Sequence, residues 1–153
     1  MASYDADTYN AVGGATLDHI PAWSGIGSYC RTAKIAVTTA LAAADTINFM
    51  TLPAGSMVQD MTLSSNADIG VTTCTIDVGD VDNVDRYIDG GAFATTTGSS
   101  VRMGNVAGAI TTAYGVYNSA DVILLGTVVT LTGGGTTDGT LVLNVWYTMD
   151  RSS

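Results

Sequence analysis

The strongest constraint on this chain lies in its acidic residues. All fourteen are aspartate and none is glutamate, while Lys34 is the only lysine and Gln59 the only glutamine. Glu, Lys and Gln have unbranched side chains that lose little freedom on a helix, so they normally cover a helix's solvent face. Alanine apart, this chain has almost nothing to build such a face. Its Thr, Val and Ile fit a pleated strand, and its Asp residues and 18 glycines fit turns. The expectation is an all-β protein.

With 153 residues the chain has the length of one domain. A domain of this size buries roughly 68–70% of its unfolded surface and needs no staples. Charged residues make up 12% and hydrophobic ones 46%, which is not a disordered composition. The net charge of −9 repels phosphate, so neither nucleic acid nor an anionic membrane surface is an expected partner. No run of about 18 apolar residues is present. The opening MASYDADTYNAVGG lacks the basic-then-apolar order of a signal peptide.

Residues 1–28 show neither strand nor helix period and read as an N-terminal arm. Tyr4, Tyr9, Ile20 and Trp23 make that arm too apolar for a free tail, so they are candidate interface residues. Residues 29–153 read as the β-domain. Its strand-like runs are CRTAKIAV, TINFMTL, SMVQDMTLSS, TTCTIDV, VDRYID, AGAITTAYGVY, DVILLGTVVTLT and TLVLNVWYTM. TTALAAAD is a short helical turn or a loop, and Gly90 to Ser100 a Gly/Thr/Ser loop.

Side chains alternate across a strand, so one set meets the core and the other solvent or a partner. In the last run Leu141, Leu143, Val145 and Tyr147 share a face, opposite Val142, Asn144 and Trp146. Cys74, Ile76 and Val78 share another. Ile123, Leu125, Val129 and Leu131 line one side of their run, leaving Val122 and Leu124 on the second. About eight strands at this spacing, with no helical period between them, fit a jelly-roll-like two-sheet β-sandwich with an extended N-terminal arm. Gly133-Gly134-Gly135 reads as a flexible hairpin connection between the two longest strands.

Candidate chemistry is sparse. Thr75 to Gly90 packs Asp77, Asp80, Asp82, Asp85 and Asp89 into sixteen residues. Asp77, Asp80, Asp82 and Asp85 could offer oxygens to Ca²⁺, which takes six to eight. The EF-hand template fails, because Val84 stands at its third ligand position and no Glu follows. The simpler reading is a turn closed by Asp and Gly, with Arg86 paired to a carboxylate. Neither a glycosidase cleft nor a nucleotide loop is supported. His19, alone of its kind, lacks the partners of a triad or metal site. Cys30 and Cys74 fall in apparent strands and read as small buried apolar residues. No catalytic residue and no cofactor is expected. Trp146 is either a core residue or a subunit contact.

Three pieces carry a family resemblance: DTINFMTLPAGSMVQDMTLS (45–64), TIDVGDVDNVDRYIDGG (75–91) and DGTLVLNVWYTM (138–149). Together they resemble the head decoration, or cement, proteins of tailed bacteriophages. The segment before Tyr29 lies outside the resemblance. The resemblance implies a jelly-roll-like subunit, made in the host cytoplasm, that sits on the outside of a capsid as a homotrimer. Its partners would be the major capsid protein and itself, and its role structural rather than enzymatic. The other reading is a carbohydrate- or receptor-binding β-sandwich module of a phage tail or baseplate.

Overall fold

In the computed structural model, residues 3–5, 7–8, 28–37, 41–65, 73–93, 99–104, 118–132 and 139–149 are described. The described elements are strands: β1 (Ser3–Asp5), β2 (Asp7–Thr8), β3 (Ser28–Val37), β4 (Thr46–Leu52), β5 (Ser56–Ser65), β6 (Thr73–Gly79), β7 (Ile88–Phe93), β8 (Ser100–Arg102), β9 (Val122–Thr132) and β10 (Gly139–Met149). They form two sheets, ordered β1-β4-β9-β6-β7 and β2-β3-β10-β5-β8.

Among β3 to β10 every pair is antiparallel, and the pairing is nested. β3 pairs with β10, β4 with β9, β5 with β8 and β6 with β7. A long antiparallel ribbon rolled onto itself gives this order, which is that of an eight-stranded jelly roll. Only the β6–β7 connection joins body strands that are neighbours in both sequence and sheet. Each of the others crosses between sheets. Pro53-Ala54-Gly55 is therefore a corner rather than a hairpin, with Gly55 at φ 83°.

The core lies between the sheets. Ile47, Phe49, Ile76 and Leu124 from one meet Ile35, Leu63, Leu141 and Leu143 from the other. β10 alternates as expected, with Leu141, Leu143, Val145 and Tyr147 buried. Tyr147 stacks on Tyr29 with ring centroids 5.4 Å apart. The segment 3–8 changes sheets partway. β1 runs parallel to β4, and β2 antiparallel to β3. It thus covers parts of two neighbouring sheet edges, which would otherwise stay open to pairing. Beyond it, the Arg31 guanidinium donates to the Thr51 carbonyl at 2.8 Å and ties β3 to β4.

Several expectations are corrected. In β9 the faces are reversed: Leu124 and Val128 are buried, while Ile123 and Val129 are exposed. Both sets are apolar, so alternation alone could not orient the strand. Gly126 orients it instead. A Cβ there would meet the Phe49 ring at 2.6 Å, so the face carrying Leu124, Gly126 and Val128 turns inward around Phe49. The glycine-rich link after β9 is no hairpin, because β9 and β10 lie in different sheets.

VDRYID is not one strand. Residues 81–87 form turns, and β7 starts at Ile88. β7 and the three-residue β8 occupy parts of what reads as a loop; such short edge strands carry little alternation. Cys30 is exposed, since the outer face of its sheet holds it, while Cys74 is buried. The described part of TTALAAAD is a turn closed by the Asp45 N–H donating to the Ala42 carbonyl at 3.1 Å. The AGAITTAYGVY run, Leu131's side chain and the triple glycine lie outside the described residues.

Candidate functional site

The aspartate-rich segment is the β6–β7 turn, and its geometry follows from local hydrogen bonding. Asp80 Oδ1 accepts the N–H of Asp82 at 3.0 Å and of Asn83 at 2.9 Å. This is the Asx-type bonding that lets Asp compete with regular structure. The Asn83 side chain repeats the pattern one step on, accepting the Asp85 N–H. The Asn83 carbonyl accepts from Asp80 N and Arg86 N, and Tyr87 N rejoins the sheet at the Val78 carbonyl. Asp80 Oδ2 sits 2.7 Å from Arg86 Nε, with the carboxylate 7% and the guanidinium 21% exposed. A pair this far from water is screened much less than a surface pair.

Gly79 lets the turn fold back. Along β6, Ile76 and Val78 point inward, so Asp77 and position 79 point outward. A Cβ on Gly79 would stand 2.0 Å from the Asn83 carbonyl oxygen and 2.4 Å from the Val84 carbonyl carbon. The loop therefore lies across the outer side of its own sheet, where any larger residue would displace it. Asp77 is 9% exposed and accepts the Gly90 N–H at 2.6 Å. Burial raises its pKa; the Gly90 bond opposes the rise, and the charges of Asp89 and Asp85 add to it.

Behind the turn, Tyr87 lies near Asn118, which ties the corner after β4 to the segment before β9. Tyr87 is fully buried, and its hydroxyl pKa is pushed up to about 12 by burial and then by Asp80, against the opposing pull of Arg86 and Asn118. Asn118 is near that hydroxyl without hydrogen-bonding geometry, so the hydroxyl has no partner among the described residues. Asn118 instead donates to Ser56 Oγ at 2.9 Å, and its backbone bonds Gly55 and Ser56. Ala54 N donates to Asp121 Oδ1 at 2.9 Å.

The four aspartates considered for Ca²⁺ are not brought together. Asp77 is bonded to Gly90, Asp80 is saturated by backbone and Arg86, Asp82 is exposed, and Asp85 is half-buried. Among the described residues no group of three or more His, Cys, Asp or Glu could hold a metal ion. Of the interface candidates, Tyr4 lies in β1 opposite Ile47, and Tyr9, Ile20 and Trp23 fall outside the described residues. Trp146 is half-buried on the outer face of β10, opposite Cys30 and Asp60.

The two sheets have different outer faces. That of β3, β10, β5 and β8 carries a polar ladder: Thr32 donates to Asn144 Oδ1 at 2.7 Å and Asn144 Nδ2 to Thr62 Oγ1 at 3.4 Å. Beside it Arg102 Nε bonds both Asp60 oxygens at 2.9 Å. The other outer face carries Ile123 and Val129, 52% and 48% exposed, and the turn over it carries Val81 and Val84, 82% and 46% exposed. These are the exposed large hydrophobics of the described residues. The apolar signal missed from sequence was Val81 and Val84, masked by the aspartates around them.

What this geometry defines is a jelly-roll β-sandwich with one polar and one apolar flank. No protein-family model matches the chain, and no curated protein is significantly similar to it. Among solved structures it is similar to a chain in the capsid of Ralstonia phage GP4, with 20% identity and a TM-score of 0.66 over 99% of this chain and 100% of that one. It is also similar to a chain of the cyanophage Pam1 capsid asymmetric unit, with 20% identity and a TM-score of 0.63 over 92% and 99%. A third is in the acidic stable capsid of Helicobacter pylori bacteriophage KHP30, at 15% identity and TM-score 0.51 over 80% and 87%.

Proposed function

We propose that the chain is a structural virion protein, a decoration or cement protein that binds the outside of a tailed-phage capsid and holds coat subunits together. The observation that supports this reading most is the mutual coverage with the GP4 capsid chain, 99% of one and 100% of the other. The similarity runs from end to end, so the counterpart in that capsid structure is a chain of about this size. An apolar flank suits a protein that works by adhesion. Burying apolar area on a neighbour yields binding energy without any reacting group. The reading includes a homotrimer with the major capsid protein as its partner.

The test uses particles of the phage that encodes this chain, prepared without it. Purified protein should sediment with them at a fixed ratio to coat subunits and raise the temperature at which they release DNA. Light scattering at micromolar concentration should give a trimer. Labelling confined to the tail of complete virions, or no sedimentation with heads, would refute the capsid role.

A further inference from the structure

The four exposed large hydrophobics occupy one flank, and the reason lies in the register. Gly79 pairs with Leu125 on β9, and Asp77 with Thr127. Leu125 and Thr127 are outward-facing and half-buried, while Asp77 and Gly79, outward-facing on β6, are buried beneath the turn. The turn that crosses Gly79 therefore lies beside the outward row of β9. Val81 and Val84 on the turn thus join Ile123 and Val129 on the strand as one side of the sandwich. Asp80 and Arg86 brace the turn, the missing Cβ of Gly79 lets it lie close against β6, and Val81 stands in solvent beside them. A preorganised contact loses little freedom on binding.

Charge says what fits against this flank. Asp77, Asp82, Asp85 and Asp89 belong to β6, β7 and their turn, and the cation there, Arg86, is bound to Asp80. The other described cations, Arg31, Lys34 and Arg102, all lie on strands of the opposite sheet. Two copies apposed by this flank would bring carboxylates against carboxylates, which costs affinity. We infer that the flank formed by Val81, Val84, Ile123 and Val129 docks onto a different protein, one that offers an apolar depression rimmed by Lys and Arg. Resting on the function proposed above, the docking partner is the outer surface of the coat subunit rather than a second copy of this chain.

The experiment adds purified variants to capsids stripped of this protein and follows co-sedimentation at 50, 150 and 500 mM salt. All four side chains are exposed, so Val81→Ser/Val84→Ser and Ile123→Thr/Val129→Thr should keep the wild-type far-UV spectrum and melting behaviour. Each pair should weaken capsid binding at least tenfold, and Val81→Asp more so. Wild-type binding should fall as salt rises, because an acid–base rim is screened. Val142→Thr, on the opposite face, should bind normally. Flank variants that bind like wild type, or loss of binding confined to Val142→Thr, would overturn the docking surface while leaving the capsid role intact. Binding that strengthens with salt would overturn the basic rim. Failure of the wild-type protein to sediment at any salt would defeat the capsid role and this inference together.

Discussion

Replacing Asp80 with alanine should unfold the protein at markedly lower denaturant. The substitution removes the acceptor for two backbone N–H groups, at 3.0 and 2.9 Å, and the partner of Arg86 at 2.7 Å. An Asx-type cap bond contributes about 1 kcal/mol, so the pair of N–H groups accounts for about 2 kcal/mol. Arg86, only 21% exposed, is left without its counter-charge, which adds about 1–2 kcal/mol once partial solvation is allowed for. The expected loss is about 3–4 kcal/mol, or roughly 10 °C in melting temperature for a domain of this length. Asp80→Asn keeps an oxygen for the two backbone N–H groups but sets an amide NH2 against Arg86 Nε where Oδ2 stood, so it should lose only the arginine's share, about 1–2 kcal/mol. Asp82→Ala, at an exposed position, should stay within about 0.5 kcal/mol of wild type. Urea titrations followed by circular dichroism, all at one protein concentration, measure the three. Should Asp80→Ala unfold within about 1 kcal/mol of Asp82→Ala, this carboxylate does not hold the turn.

Gly126→Ala forces a methyl to 2.6 Å from the Phe49 ring, so it should cost about 1–3 kcal/mol in the same titration. No loss would show the ring free to yield. Ala44 has φ 71°, a left-handed conformation at the third position of its turn, where glycine is unstrained. Ala44→Gly should therefore stabilise the protein by a few tenths to about 1 kcal/mol, and a clear loss would contradict the strain. The raised pKa of Asp77 means that the folded state holds its proton more tightly than the unfolded chain does. Ionised Asp77 therefore costs stability at neutral pH, and that cost fades as pH falls through the folded pKa towards the ordinary value of 3.8. Asp77→Asn, which keeps an acceptor for Gly90, should be the more stable protein at about pH 7. The two should converge in acid; a gap that widens there would reverse the assigned sign.

The fold class was legible because it depends on residue types that are present or missing everywhere along the chain. With no Glu and a single Lys and Gln, no long helix face can be solvated, and the alternation in β10 and β6 pointed the right side chains inward. The pairing was not legible. β9 and β10 are long, adjacent and linked by glycines, which locally describes a hairpin, yet nesting sends them to opposite sheets. The face of β9 was ambiguous because Ile123, Leu125 and Val129 are as apolar as Leu124 and Val128. What decides it is a single missing Cβ at Gly126 against Phe49, a contact between strands that no local window contains. At the aspartate-rich segment the turn and the arginine partner could be read from residue types. The fold-back over Gly79, and hence the company Val81 and Val84 keep, depends on a carbonyl four residues away in sequence. A glycine beside an aspartate fits an ordinary tight turn equally well, so the residue types alone could not signal it.

Nesting also orders events in time. β10 lies between β3 and β5, pairing Ser28 with Thr148 and Leu141 with Ser65. While the ribosome is still making residues 139–149, β3 and β5 have no strand between them, and their facing backbone edges stay unpaired. This sheet must therefore wait until residues 139–149 have been made, and contacts this remote in sequence close slowly. Nascent chains are most prone to clump during that interval.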